Sequence, residues 1–169
     1  MKIYIGTDHT GFELKEKLKE YLPALGLGYE VIDKGAFAFD ADDDYPDFVT
    51  LVAEAVAGDA GSFGIFISGS GQGEAMCANR VSGVRAAVFY GTAVAKEAID
   101  VTGQKSTDPF EIIKLARMHN DANILSLSMR FLSPDEIKFA IELFLKTEFK
   151  GEERHVRRIA KIEQLVSSN

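Results

Sequence analysis

The chain has 169 residues, of which 46% are hydrophobic and 27% charged, and its formal net charge is −7. These values are typical of a globular protein, and the negative charge argues against nucleic acid or an anionic membrane as the main partner. The single cysteine, Cys77, excludes an internal disulfide framework and is typical of a reducing compartment. Because the sequence contains neither a signal-peptide pattern nor an apolar run long enough to span a membrane, we expect a cytoplasmic protein.

Short β-branched runs alternate with longer segments of helical period, which is the pattern of a parallel sheet with crossover helices. Five runs are predicted to be strands: KIYIG (2–6), YEVIDKG (29–35), FGIFIS (63–68), VRAAVFYG (84–91) and ANILSLS (122–128). The segments with helical spacing, interrupted by a predicted loop at 102–109, are 12–25, 44–58, 74–80, 92–101, 110–119, 133–149 and 154–166. Since no internal repeat or low-complexity linker is visible, the sequence predicts a single α/β domain of three layers over residues 1–169.

Two loops that follow predicted strands carry polar residues, GTDHTG after the first strand and SGSGQGE after the third. In open parallel sheets, ligands bind where such loops leave the carboxyl ends of the strands. Gly69, Gly71 and Gly73 follow the spacing G-x-G-x-G, which is neither the dinucleotide fingerprint nor a Walker A loop. Two interpretations stay open: a nest of N–H groups for an oxyanion or phosphate, and a glycine turn that permits close packing.

Glu74 comes directly after the glycine loop, at the start of a predicted helix. Acidic residues favour the first turn of a helix because of the helix dipole, so this position is compatible with simple capping. Proton abstraction next to a carbonyl also requires a base within reach of oxyanion donors, and a carboxylate beside the loop meets that requirement. The sequence therefore leaves capping and general-base catalysis both open for Glu74.

The three histidines, His9, His119 and His155, each have a polar neighbour in sequence, and histidine transfers protons near neutral pH. No two of them have the spacing of metal ligands on one helix, so no metal site is predicted. Arg154 and Arg158 lie four residues apart in the densest basic patch of the chain. This patch fits either a solvated basic face or a bidentate grip on a phosphate group.

Asp40, Asp42 and Asp44 have the D-x-D-x-D spacing of a calcium loop, but the required glycine and glutamate are absent further along. We therefore expect the acidic run to be a solvated loop that leads into a helix. Cys77 has no basic neighbour in sequence to activate its thiol, and we expect it to be a small buried residue.

Taken together, these motifs resemble the ribose-5-phosphate isomerase type B and galactose-6-phosphate isomerase family of sugar-phosphate isomerases. The matching pieces follow the family's order and cover most of the chain: IGTDHTGFELKE, YEVIDKG, DYPDF, GIFISGSGQGEAMCANRVSGVRAA, HNDANIL and TEFKGEERHVRRIAKIE. The resemblance implies a Rossmann-like three-layer α/β/α sandwich with a five-stranded parallel sheet. It also implies dimers or tetramers with sites shared between subunits, and a reaction through a cis-enediolate with no metal and no other cofactor.

The resemblance further implies a role for each matched residue. Asp8 and His119 match residues that help to open the sugar ring. Ser70 and the backbone of residues 69–73 match the site for the enediolate oxygen, with Asn120 nearby. The residues expected to bind phosphate are His9, Arg154 and Arg158, with assistance from Arg130 and His155.

Two features depart from the commonest family pattern. Many members have a catalytic cysteine at the position of Ser68, and an unassisted serine hydroxyl is too weakly acidic to replace a thiolate as base. A second branch of the family uses a glutamate at the position of Glu74 as base, and this chain resembles that branch. Ser68 is then expected to bind substrate as part of the loop, together with Gly69, Gly71 and Gly73. The segment from Thr92 to Arg117 is longer than expected for the family and could reshape the sugar pocket.

The sequence thus predicts a metal-independent aldose–ketose isomerase of carbohydrate metabolism. The favoured substrate and product are ribose 5-phosphate and ribulose 5-phosphate, which belong to the pentose phosphate pathway. Glu74 would move a proton between C1 and C2 while Ser70 and the loop hold the oxyanion. Galactose, allose or four-carbon ketose phosphates are alternative substrates. A non-catalytic sugar-phosphate-binding subunit of a heteromer is the alternative from another class, although the presence of Asp8, Ser70, Glu74 and His119 in one chain argues against it. We expect a homodimer or homotetramer.

Overall fold

The computed structural model describes residues 1–167; residues 168 and 169 of the predicted domain lie outside this part. The strands are β1 (Lys2–Thr7), β2 (Glu30–Asp33), β3 (Phe63–Ser68), β4 (Ala86–Phe89) and β5 (Ile124–Ser128). The helices are α1 (Phe12–Ala24), α2 (Tyr45–Gly58), α3 (Gln72–Ala78), α4 (Glu111–Asn120), α5 (Pro134–Lys146) and α6 (Glu153–Ser167), with a short 3₁₀ helix at His9–Gly11. All strands pair in parallel in the order β2-β1-β3-β5-β4. The predicted α/β class with five parallel strands is confirmed.

Each central strand is apolar on both faces because helices cover the sheet from both sides. In β1, Ile3 and Ile5 pack into a core with residues of α1 and α5, such as Leu18 and Phe144. Tyr4, between them, packs into the second core with residues of α2. Successive side chains of a strand point to opposite faces, so the unbroken apolar runs of the sequence fill two cores at once.

Helix α2 lies close against β1 and β3 because glycines face it. A Cβ atom on Gly6 would lie 2.7 Å from Val52 Cγ2, and one on Gly64 would lie 3.0 Å from Val52 Cγ1. Only a residue without a side chain allows this approach. Since α2 follows β2 along the chain, its first residue, Tyr45, begins the helix at the carboxyl-terminal edge of the sheet.

The predicted helix at 92–101 is wrong, because this segment consists of bends and turns. Nearly all of its side chains are exposed or half-buried, so no apolar helical face is packed against the core. Instead, the Asp100 carboxylate accepts hydrogen bonds from the N–H groups of Thr102 and Gln104 and closes a turn. Smaller differences concern helix ends: α3 begins at Gln72 rather than at Glu74, and α5 ends at Lys146.

Candidate active site

The order of the strands creates a crevice between the carboxyl ends of β1 and β3. The chain leaves β1 to form β2 on one side and later returns to form β3 on the other, which makes this pair the switch point of the sheet. Thr7 pairs with Ile67, so Asp8, which follows β1, and Ser68, the last residue of β3, lie at neighbouring strand ends. Ligands of open parallel sheets bind at such a point. Both loops that the sequence singled out are therefore adjacent.

The loop after β1 holds a buried acid and a histidine. Asp8 is buried, and its Oδ1 accepts a hydrogen bond of 2.9 Å from the N–H of Thr10. Burial raises the pKa of Asp8 above its ordinary value, against the opposing effect of the Thr10 N–H. The Nδ1 atom of His9 lies 2.6 Å from Oδ1 of Asp43, and this hydrogen bond raises the pKa of His9. A carboxyl group and an imidazole, each with a raised pKa, thus stand side by side.

The glycine loop after β3 is shaped by three buried serines. Gly71 has φ of +76°, a left-handed conformation that favours glycine, and its N–H donates to Ser68 Oγ at 3.2 Å. From β5, Ser126 donates to the Gly71 carbonyl at 2.7 Å and Ser128 donates to the Gly69 carbonyl at 2.6 Å. The Ser68 hydroxyl therefore orders the loop, and the Gly71 N–H is already engaged within it.

Glu74 lies in the first turn of α3 and is only 4% exposed. Its Oε2 atom is buried without a hydrogen-bond partner, one of three such side-chain atoms in the described residues. A buried carboxylate oxygen without a partner is costly, and such groups mark places where a fold is arranged for binding or chemistry. The helix-start position expected for capping is confirmed, but capping leaves the unpartnered oxygen unexplained.

Arg130 and Tyr45 lie over the two ends of the glycine loop. A Cβ atom on Gly69 would be 3.3 Å from the Arg130 guanidinium carbon, and one on Gly73 would be 2.6 Å from the Tyr45 hydroxyl. Arg130 was predicted only through the resemblance, and neither Tyr45 nor Asp43 was predicted as a site residue. The phrase DYPDF could have pointed to Tyr45, because it begins a helix directly after a loop at the carboxyl-terminal edge.

A second group of predicted residues forms around α4 and α6. The rings of His119 and His155 are stacked, with centroids 4.3 Å apart and planes inclined by 9°. Arg154 Nε donates to His155 Nε2 at 3.2 Å and its NH2 group contacts Glu152 at 2.8 Å. Burial lowers the pKa of His155, and the neighbouring His119 and Arg154 lower it further. His155 is therefore a neutral acceptor for Arg154 at neutral pH.

The two groups lie at opposite edges of the sheet within one chain. Helix α4 ends with His119 and Asn120 just before β5 begins, whereas the glycine loop follows strands at their carboxyl ends. The length of β5 separates these edges by about 15 Å. Arg158 is exposed on α6, one turn beyond Arg154. One chain thus brings together the first group (Asp8, His9, Ser68, Gly69, Ser70, Gly71, Gly73, Glu74 and Arg130) but not the second (His119, Asn120, Arg154, His155 and Arg158).

Three further features concern the cysteine, possible metal ligands and possible membrane-spanning helices. Cys77 is half-buried, with its Sγ atom 3.6 Å from Thr50 Oγ1. Within residues 1–167, no group of three His, Cys, Asp or Glu side chains is arranged to hold a metal ion. Among the helices of the same part, none combines the length and apolar character that crossing a bilayer requires.

A parallel sheet with a buried acid, an imidazole, a glycine loop and an arginine at its switch point is an arrangement suited to binding a small anionic molecule. The model of the ribose/galactose isomerase family matches residues 3–104 and 107–162. The chain belongs to this family. Ribose-5-phosphate isomerase B of Mycobacterium tuberculosis (strain H37Rv) is 36% identical over 159 residues, which cover 94% of this chain and 86% of that protein.

Solved structures of relatives have the same fold. Ribose-5-phosphate isomerase B of Clostridium thermocellum superposes with a TM-score of 0.82 at 38% identity, covering 99% of each chain. The enzyme of Mycoplasma genitalium, solved with bound ribulose 5-phosphate, gives a TM-score of 0.83 at 38% identity and covers 99% of this chain and 97% of that one. The family predicted from the motifs is confirmed.

Proposed function

We propose that this chain is an aldose–ketose isomerase that interconverts ribose 5-phosphate and ribulose 5-phosphate without a metal or other cofactor. The observation that carries the proposal is the buried Glu74 carboxylate, whose Oε2 atom has no partner beside the glycine loop. Family membership and the ribulose 5-phosphate bound to the Mycoplasma genitalium relative support the choice of substrate.

Glu74 is the general base of the proposed reaction. In the open-chain aldose it removes the proton from C2, and the electron pair of that bond moves so that negative charge collects on the oxygen of C1. The protonated Glu74 then returns a proton to C1, while the hydroxyl proton on the C2 oxygen passes to the C1 oxygen and a ketose forms. Since C1 and C2 are bonded neighbours, one carboxylate serves both carbons.

The other residues of the first group prepare the sugar and stabilise charge. The enediolate oxygen is held by Ser70 and by those N–H groups of residues 69–73 that make no hydrogen bond within the loop. Asp8 opens the ring together with His119, and burial, which raises the pKa of Asp8, favours the protonated form that such a step uses. Asn120 lies near the enediolate oxygen, and the phosphate group is bound by His9, Arg154 and Arg158, with assistance from Arg130 and His155.

The complete site requires two copies of the chain. His119, Arg154 and His155 lie at the edge of the sheet opposite to Glu74, so a second subunit supplies them to the crevice of the first. A homodimer is the smallest assembly with this property, and pairs of dimers give a homotetramer. We assign the protein to the cytoplasm, where its free cysteine stays reduced.

Glu74→Gln tests the base directly, because glutamine keeps the shape of the side chain and removes its basicity. We expect kcat for ribose 5-phosphate to fall by about 10²- to 10⁴-fold, the usual contribution of a general base. Purified wild type, this variant and the control Glu54→Gln, which changes an exposed glutamate of α2, are assayed for ribulose 5-phosphate formation.

Wild-type turnover by Glu74→Gln would remove the base assignment, whatever the substrate. The sugar is tested separately by screening the wild type against four-, five- and six-carbon sugar phosphates. Preference for a galactose, allose or four-carbon phosphate would keep the reaction but replace the proposed pair. No isomerisation of any of them would indicate a binding subunit without activity.

A further inference from the structure

One aspartate of the acidic run 40–44 differs from its neighbours. Asp42 and Asp44 are exposed, as expected for a solvated loop, whereas the Asp43 side chain is only 6% exposed. The run connects β2 to α2 at the carboxyl-terminal edge of the sheet, where the proposed active site lies. The fold therefore turns one member of a solvated loop inward at the site.

Asp43 binds His9 at two points through the same oxygen. Its Oδ1 atom lies 2.6 Å from Nδ1 of the ring and accepts the main-chain N–H of His9 at 3.2 Å. Contacts to both the ring and the backbone fix the orientation of the imidazole. Because Nδ1 faces the carboxylate, the other ring nitrogen, Nε2, is left for a partner elsewhere.

A purely structural role does not account for these contacts. The start of the same loop is already attached to the sheet and to α1: Ala36 N–H donates to the Thr7 carbonyl at 2.9 Å, and Lys15 Nζ donates to the Ala36 carbonyl at 2.6 Å. In addition, Oδ2 of Asp43 is buried without a partner. Retaining a buried carboxylate with one oxygen unpartnered costs stability, which a loop anchor alone would not require.

We propose that Asp43 is a positioning residue that holds His9 as an imidazolium, with Nε2–H directed at the anionic group of the substrate. This inference rests on the proposed function only for the identity of that anion. No contact between Asp43 and the substrate is required, because Asp43 acts through His9. The pair supplies a fixed positive donor in a chain whose net charge of −7 otherwise repels anions.

The charges around His9 favour its protonated form. The hydrogen bond to Asp43 raises the pKa of His9 most, and the negative charge of Asp8 adds to this effect, while partial burial and the positive charge of Arg130 oppose it. His9 therefore keeps its proton at pH values where an isolated histidine loses it. Binding of an anion is accordingly retained to a higher pH than an isolated histidine would allow, and it weakens as the pH rises through the pKa of His9.

The test combines Asp43→Asn with the control Asp42→Asn, which removes the same charge from an exposed neighbour. Histidine side-chain NMR with ¹⁵N labelling is practical because the chain has only three histidines. We expect the His9 resonances to titrate at a lower pH in Asp43→Asn than in wild type and in Asp42→Asn. For ribose 5-phosphate near pH 7.5, we expect KM to rise by about 10- to 100-fold in Asp43→Asn, with kcat nearly unchanged.

An unaltered His9 titration in Asp43→Asn would overturn the proposal. A folded Asp43→Asn protein with the KM of the wild type would also overturn it. If Asp43→Asn does not fold, the wild type alone decides, because a His9 that titrates at or below the ordinary histidine value contradicts the inference. If the wild type isomerises no sugar phosphate, inorganic phosphate replaces the substrate as probe. A shift of the His9 resonances on adding phosphate then supports the proposal independently of the proposed function, and no shift overturns it.

Discussion

The hydroxyl of Ser68 accepts the Gly71 N–H at 3.2 Å. Through this hydrogen bond the Ser68 side chain stabilises the conformation of the glycine loop. The base of the proposed reaction is Glu74, six residues later. The sequence allowed the prediction that Glu74 rather than Ser68 is the base, because a serine hydroxyl is too weakly acidic. It did not allow a prediction of the hydrogen bonds around Ser68. Only the structure identifies Ser126 and Ser128 as the residues that hold the loop from the neighbouring strand.

Ser68→Ala tests this structural role. Removing the acceptor leaves the Gly71 N–H buried without a partner, so we expect the free energy of unfolding to fall by about 1–3 kcal/mol. Urea denaturation of the variant is compared with that of Ser82→Ala, which changes an exposed serine and should differ from wild type by at most about 0.5 kcal/mol. Equal stability of Ser68→Ala and wild type would contradict the assignment.

The sequence did not single out two residues of the candidate site, Asp43 and Tyr45. Asp43 is one of several aspartates in a polar run, and no periodicity distinguishes the member that turns inward. Tyr45 looks like an ordinary residue at the start of a helix. Their roles depend on which loops the strand order brings together, and that order is a non-local property of the chain.

At the scale of elements, a buried lysine joins α1 to the strand and loop beside it. Lys15 is fully buried, and its Nζ atom contacts the Asp33 carboxylate at 2.7 and 2.8 Å. Burial acts to raise the pKa of Asp33, but the hydrogen bonds from Lys15 and Lys19 outweigh it and lower the pKa overall. This pair fixes the segment that leads from β2 into the loop containing Asp43.

Lys15→Ala leaves the half-buried Asp33 carboxylate without its main partner. We expect the free energy of unfolding to fall by about 3–5 kcal/mol, whereas the exposed control Lys17→Ala should change it by less than about 0.5 kcal/mol. Because the pKa of Asp33 is lowered in the folded state, its contribution is fully present above about pH 4 and is lost as the pH falls through the lowered value. Denaturation curves between pH 7 and pH 2 measure both effects, and a Lys15→Ala protein as stable as the control would refute them.

Elements with a strong local signal were predicted well. The unbroken apolar run of β3 indicated a strand buried on both faces, and the start of α5 at Ser133 and Pro134 carries a capping box with Glu136. The segment 92–101 failed because its composition favours a helix while no buried surface stabilises one. Local sequence preference was sufficient to predict β3 and the start of α5. In segment 92–101 the absence of tertiary packing outweighed the local preference for a helix.

At the scale of the whole molecule, the proposed catalytic residues are divided between two edges of one sheet. The resemblance predicted shared sites, and the positions of His119 and Glu74 give this expectation a geometric reason. The sequence could not indicate which residues each subunit contributes, because that depends on the direction in which α4 runs back along the sheet. The stacking of His119 on His155 was equally invisible, since the two are far apart in sequence.

Subunit mixing tests the shared site. Glu74→Gln and His119→Asn are each expected to have little activity alone. In a mixed dimer, one site contains both changes and the other contains neither, so random exchange should restore about one quarter of the wild-type sites. If mixing restores no activity although mixed dimers form, the site lies within one subunit and the proposed assembly is wrong.

In the proposed reaction this chain moves a proton between C1 and C2 of a sugar phosphate. NMR of ribose 5-phosphate incubated with the wild type in D₂O tests it most directly. We predict conversion to ribulose 5-phosphate and, on longer incubation, deuterium at the exchanging carbons, because the proton carried by Glu74 exchanges with solvent. An unchanged sugar, or conversion with full retention of the original hydrogen, would contradict the account.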